Sequence, residues 1–176
     1  MDRDEAPGLE LVPADLAACR GIAEVHVQAW RHAYAGIIPA AYLDGLSVDE
    51  HEERWRHAVA RGSPRLLVAR LGEKIQGFIG FDASRDDGAE PQQGEIWVLY
   101  VRPEAQRLGV GRRLCREALE ALFEEGFTSA TLWVIVGNEG ATNFYREMGF
   151  QVEPGSRQSF MVGAAQLGEE RLHIPL

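Results

Sequence analysis

Residues 95–116 constrain this chain more than any other stretch. Residues 95–102, Glu-Ile-Trp-Val-Leu-Tyr-Val-Arg, are rich in β-branched and aromatic side chains and read as a strand. After Pro103 comes Gln106-Arg107-Leu108-Gly109-Val110-Gly111, and from there a helical pattern runs to about Glu125, with Gly126 as its stop. Two glycines let a backbone come close to a ligand. A turn that opens a helix also exposes several N–H groups that no helical bond consumes, and the helix dipole adds to their pull on an anion. The segment therefore predicts a pyrophosphate site built from backbone donors.

The charges on the predicted helix agree. Arg107, Arg112, Arg113 and Arg116 lie at its start, and Glu117, Glu120, Glu124 and Glu125 in its middle and end. This is the reverse of what the dipole prefers, by about 0.3–1 kcal/mol per charge. An anion docked at the turn resolves the conflict; a solvated face with charges placed by chance is the bland alternative. A dinucleotide turn would need a third glycine where Leu114 stands, and an acidic residue at the end of the next strand, where Gly137-Asn138 stand. No Gly-Lys-Ser/Thr is present for a P-loop.

Around this centre the pattern is mixed α/β, in the order β-α-α-β-β-β-α-β-α-β-β. Residues 9–12 read as a first strand. Asp15 caps a helix carrying Leu16, Cys19, Ile22, His26 and Trp30. Ser47 with Glu50 forms a capping box for a second helix to about Ala60. Residues 65–70 and 74–81 form a hairpin around Gly72, and residues 82–94 an exposed loop. The apolar run 128–136 reads as a buried strand, parallel to 95–102 through a helical crossover. Asn138 opens a short helix that ends at Gly149, and residues 150–162 and 169–175 are two further strands. With 176 residues and no repeat or linker, one domain spanning 1–176 is expected.

Other classes are excluded or weakened. A net charge of −9 lacks the basic footprint of a nucleic-acid binder. No apolar run reaches the roughly 18 residues of a membrane span, and the acidic N-terminus has no secretory h-region, so a cytoplasmic protein is expected. His26/His32 and His51/His57 are each six apart, on different helix faces, so no metal is expected. Cys19 and Cys115 read as reduced thiols, at least one of them buried.

Two motifs then carry a resemblance. Val101-Arg102-Pro103-Glu104-Ala105-Gln106-Arg107-Leu108-Gly109-Val110-Gly111 is similar to the acetyl-CoA motif of the GNAT superfamily of N-acetyltransferases, Q/R-x-x-G-x-G/A after a central strand. Residues 138–150, Asn-Glu-Gly-Ala-Thr-Asn-Phe-Tyr-Arg-Glu-Met-Gly-Phe, resemble the family's N-x-x-A-x-x-F-Y-x-x-x-G-F segment. The resemblance covers about residues 65–175. It implies a GNAT-like central mixed sheet with helices on both faces, and acetyl-CoA as co-substrate. It further implies that Leu99, Tyr100 and Val101 meet the pantetheine arm, and that Gln106 and the backbone of Arg107, Leu108, Gly109, Val110, Gly111 and Arg112 hold the pyrophosphate. Asn138 and Asn143 would contact the cofactor, Tyr145 would sit near the thioester sulfur, and Glu95 matches the strand glutamate that some relatives use as general base.

Such a protein transfers acetyl to a primary amine: a small molecule, a peptide N-terminus or a lysine. A lysine-like amine is only about one part in a thousand neutral at pH 7, so a base such as Glu95 has work to do. Backbone N–H groups of Leu99 or Val101 could hold the oxyanion if the strand bulges there, and Tyr145 could protonate the leaving thiolate. Each role has a plain alternative: Glu95 as a solvent-facing strand residue, Tyr145 as packing, Asn138 as a helix cap only. His26, Trp30 and Tyr34, with Tyr42 and Trp55 near them in sequence, are a core stripe or, in part, the wall of an acceptor pocket. A non-catalytic acyl-CoA-binding protein on the same fold is the competing class, and a homodimer is compatible with either.

Overall fold

A computed structural model describes residues 7–176. Strand β1 (Leu9–Pro13) leads into a 3₁₀ turn (Leu16–Ala18) that Asp15 caps by accepting from the Ala18 N–H at 2.9 Å. Helix α1 (Cys19–Ala33), a short helix α2 (Ala40–Asp44) and α3 (Val48–Arg61) follow. Ser47 caps α3 as its spacing predicts, accepting from Glu50 N–H at 3.3 Å. The hairpin is β2 (Arg65–Leu71) and β3 (Lys74–Ala83), then β4 (Gln93–Val101), α4 (Val110–Glu124), β5 (Ser129–Ile135) and α5 (Glu139–Glu147). Three strands close the chain: β6 (Gln151–Val152), β7 (Gln158–Val162) and β8 (Ala165–Pro175). The single strand expected over 150–162 is thus two, interrupted around Pro154-Gly155, where proline offers no ladder donor and Gly155 takes a φ of 76°.

The sheet runs β1-β2-β3-β4-β5-β8-β6, with β7 paired to β8. Among the described residues its one parallel pair is β4 with β5. That pairing lasts three residues, Gln93–Glu95 against Ser129–Thr131, and then stops. Past Glu95 the edge of β4 that faces β5 has no ladder partner among the described residues, so the two central strands splay at their carboxyl ends. On its other edge β4 bulges: Phe81 pairs with Ile96 but Gly80 with Val98, leaving Trp97 as the extra residue.

The bulge changes which face each residue serves. Ile96, Leu99 and Val101 join the core under α4 and α5, with Leu114, Ala118, Leu122, Leu132, Tyr145 and Phe150. Val98 and Tyr100 join the core under α1 and α3, with Ile22, Val25, Phe78 and Trp55. A third cluster ties Tyr34, Ile38 and Leu43 to Ile135 and Val162, so the chain between α1 and α3 rests on the β7–β8 hairpin across the end of β5. Gly77 on β3 has no room for a side chain. A Cβ there would lie 2.9 Å from the Tyr100 carbonyl and 3.1 Å from Val110, the residue that opens α4.

Candidate active site

The splay between β4 and β5 forms a crevice outside the carboxyl ends of two parallel strands, the place where open α/β sheets bind ligands. Helices α4 and α5 both begin there. The turn into α4 uses two left-handed residues, Arg107 (φ 62°) and Gly109 (φ 78°). Gly109 is the N-cap, and the first helical bond runs from Arg113 N–H to Gly109 C=O at 3.0 Å. Among the described residues none accepts from the backbone amides of Arg107 to Gly111, so a row of donors is left at a helix N-terminus. Gln106, Arg107 and Leu108 are exposed, and Gly111 packs against Phe144 and Val101.

The reversed charge pattern on α4 is only partly free for an anion. Arg113 donates to the Leu9 carbonyl at 3.1 Å, and Arg112 reaches Glu147 at 3.4 Å. These two arginines brace the helix against β1 and α5, which accounts for part of what the sequence pattern assigned to the ligand.

At the start of α5, Asn138 Oδ1 accepts from Ala141 N–H at 3.2 Å, so the cap is real. Asn143 is exposed on the same helix. Tyr145 is buried between Phe144 and Phe150, ring centroids 5.1 and 5.6 Å away. Burial, then Cys115 and nearby tyrosines, raises its hydroxyl well above the ordinary value, so the group keeps its proton at any physiological pH.

Glu95 is not solvent-facing. It is 1% exposed and sits on the face opposite α4. Arg85 holds both of its oxygens: the Arg85 backbone N–H donates to Oε2 at 2.8 Å, and the guanidinium reaches Oε1 and Oε2. The guanidinium stacks over Trp97 at 4.1 Å, while half of the Arg85 side chain remains exposed. The exposed loop expected over 82–94 is shorter, 84–92, and is pinned further by Asp86. This carboxylate accepts from Trp133 at 2.9 Å and from Arg171 at 2.8 Å, and Arg171 also grips Glu153.

On the α1–α3 face lies a cavity of about 400 Å³. Its wall includes His26 and Trp30 from α1, Tyr42 from α2, and Glu50, His51 and Arg54 from α3. His26 stacks on Tyr100 of β4 (4.9 Å, 24°), which links this cavity to the strand that borders the crevice. Tyr34 is not in the wall; it lies behind it against Trp30, close enough to Asn138 and Tyr100 to influence how it titrates. Of the three acceptor-side residues expected from sequence, His26 and Trp30 meet in one cavity and Tyr34 supports them. The sequence gives no acceptor-side role to Glu50, His51, Arg54 or Arg85. The one local signal for His51 is its place four residues after the Ser47 cap, whose carbonyl its Nδ1 meets at 2.8 Å. Among the described residues no His, Cys, Asp or Glu side chains group as a metal set, and both cysteines are free and buried.

The sequence model of the acetyltransferase (GNAT) family matches residues 25–150, more than half of the chain. The chain belongs to the GNAT family of acetyltransferases. It is 34% identical to the uncharacterized N-acetyltransferase YuaI of Bacillus subtilis over 164 residues, 92% of this chain and 90% of that one. It is 25% identical to the spermidine N(1)-acetyltransferase of Thermoplasma acidophilum, covering 79% and 86% of the two chains. The fold matches the crystal structure of the PaiA N-acetyltransferase of Thermoplasma acidophilum in complex with coenzyme A, with a TM-score of 0.77, 21% identity, and 96% and 99% coverage. This GNAT protein is therefore an acetyltransferase that uses acetyl-CoA as co-substrate, and the row of unclaimed amides at the α4 turn suits the anionic end of that molecule.

Proposed function

We propose that this GNAT enzyme, one domain over its length, transfers acetyl to a primary amine by direct attack in a complex that holds both substrates. One observation carries this reading. The crevice beyond Glu95 has unclaimed donors on its α4 side, and the aromatic cavity on its α1–α3 side reaches the same strand through Tyr100. Two ligands approaching from opposite faces can meet at β4 without a covalent enzyme intermediate. The amine nitrogen forms the new C–N bond as the thioester C–S bond breaks; the amine gives up one proton and the departing sulfur takes one.

In this reading the amides of Arg107–Arg112, with Gln106, hold the pyrophosphate. The open edge of β4 at Leu99, Tyr100 and Val101 receives the pantetheine as a strand would. Asn138 and Asn143 flank it from α5. Tyr145, kept protonated by its surroundings, gives its proton to the leaving sulfur. Glu95 takes the amine proton once Arg85 swings off it, a motion open to a half-exposed side chain that rests on Trp97. While the clamp is closed, Glu95 anchors the 84–92 segment instead.

Initial rates of thiol release, with acetyl-CoA and an amine varied together, test the order of events. Intersecting double-reciprocal lines are expected. Parallel lines, with label exchange between acetyl-CoA and CoA in the absence of amine, would overturn direct attack.

A further inference from the structure

The wall of the acceptor-side cavity is polarised in a way that its residue types alone do not reveal. An indole nitrogen can only donate, so the 3.2 Å contact of Trp55 Nε1 with His26 makes His26 Nδ1 the acceptor. A neutral His26 then carries its hydrogen on Nε2. Burial, with His51 and Arg54 adding to it, pushes the pKa of this ring down to about 3, so it stays neutral. Among the described residues its Nε2 meets no hydrogen-bond partner, and the ring borders the cavity.

Trp30 borders the same cavity, but its Nε1–H is shut off from solvent beside the buried Tyr100 hydroxyl, whose titration it influences. His26 and Trp30 are four residues apart on α1, their rings 5.6 Å from each other, so the indole packs beside the imidazole on one helix face and leaves His26 as the donor on this side of the wall. Arg54 lines the same cavity as a cation. His51 spends its Nδ1–H on the Ser47 carbonyl, and its ring meets His26 edge-on at 4.3 Å.

We propose that the His26 Nε2–H, with Arg54 on the same wall, binds a hydrogen-bond-accepting oxygen, carbonyl or carboxylate, carried by the amine itself. The preferred acceptor is then an amino acid, an amino-acid amide or a peptide N-terminus, and not an alkyl diamine. This rests on the amine-acceptor reading above and narrows it. A second ammonium offers only donors and would face donors. Among the described residues Glu50 is the one carboxylate on this wall and would favour a cation, but it is exposed and its pull is screened by water and salt. The half-buried His26 donor is screened less.

Four amines decide the matter: leucinamide, leucine, isopentylamine and 1,5-diaminopentane. Leucinamide and isopentylamine differ only by the carboxamide. With saturating acetyl-CoA, kcat/KM for leucinamide or leucine should exceed that for isopentylamine and for the diamine by at least about tenfold, since a site built to bond a polar group rejects the analogue lacking it. Leucine ahead of leucinamide would mark a carboxylate paired with Arg54; the reverse would mark a neutral carbonyl. His26→Phe should raise KM for the better of the two at least about fivefold, with CoA affinity unchanged. Isopentylamine or the diamine at parity or better, or a preference that survives in His26→Phe, would overturn the proposal. If no amine turns over, the transfer reading fails by itself. Calorimetric titration of the same amines into the CoA-saturated protein then decides the subsite: tighter leucinamide supports it, and equal affinities sink it.

Discussion

Removing Arg85 should harm the fold more than neutralising Glu95, although Arg85 is the exposed partner. The pair is lopsided: the Glu95 side chain is 2% exposed and the Arg85 side chain 52%. Arg85→Met strands a buried carboxylate with one remaining donor, the residue's own backbone N–H. Breaking a buried pair in this way costs about 3–5 kcal/mol, and the surviving N–H puts the loss near the lower end. Glu95→Gln keeps the shape and still accepts from that N–H, while the arginine can turn to solvent. Its cost should be about 1 kcal/mol, the scale of one hydrogen bond. In a chain of 176 residues this is a fall in Tm of about 6–12 °C for Arg85→Met against about 2–4 °C for Glu95→Gln. Urea denaturation followed by circular dichroism at pH 7.5, with thermal scans beside it, measures both. Activity should separate the two in the opposite sense. Glu95→Gln lowers kcat because the carboxylate is gone, whereas Arg85→Met leaves an unclamped one. Equal stability losses, or a larger loss for Glu95→Gln, would refute the view that the carboxylate is the stranded member. Wild-type kcat in Glu95→Gln would remove it from proton transfer.

Other consequences concern the two titrating sites on either side of β4. His26 is held down at about 3, against an unfolded value near 6.5, so below pH 6.5 the unfolded chain binds a proton that the folded one refuses. Stability should therefore be full above that pH and fall by about 1.4 kcal/mol per unit as acid is added from 6.5 toward 4.5. His26→Phe should flatten this slope in urea titrations, and an unchanged slope would contradict the assignment. Tyr145→Phe should lower kcat at least about tenfold while leaving the acetyl-CoA dissociation constant alone, as loss of a proton donor does; wild-type turnover would confine Tyr145 to packing with Phe150.

What the sequence revealed and what it hid follow from how local each feature is. The β4–turn–α4 unit was readable because strand propensity, two glycines and a helix pattern sit within about two dozen consecutive residues, and each demands the same backbone path. Ser47 and Asn138 announced their helices through single-residue caps. The short α2 was missed because five residues after Pro39 carry too little periodicity to register. The burial of Glu95 was hidden by two non-local facts: a bulge at Trp97 that shifts the face of the strand, and an arginine ten residues away that folds back over it. The acceptor-side cavity was the least visible part. Its defining contact joins Trp55 to His26, 29 residues apart, and which His26 nitrogen is left as the donor depends on that contact rather than on residue type.

The most direct test asks whether the glycine turn holds the diphosphate. Calorimetry should compare coenzyme A with pantetheine, which lacks that group, on the wild type and on Gly109→Glu. This variant forces a side chain and a negative charge onto a backbone at φ 78°. The wild type should bind coenzyme A at least about a hundredfold tighter than pantetheine, the yield of two or three charge-assisted bonds, and the variant should lose that margin. A folded Gly109→Glu protein that still prefers coenzyme A to the same degree would place the diphosphate elsewhere.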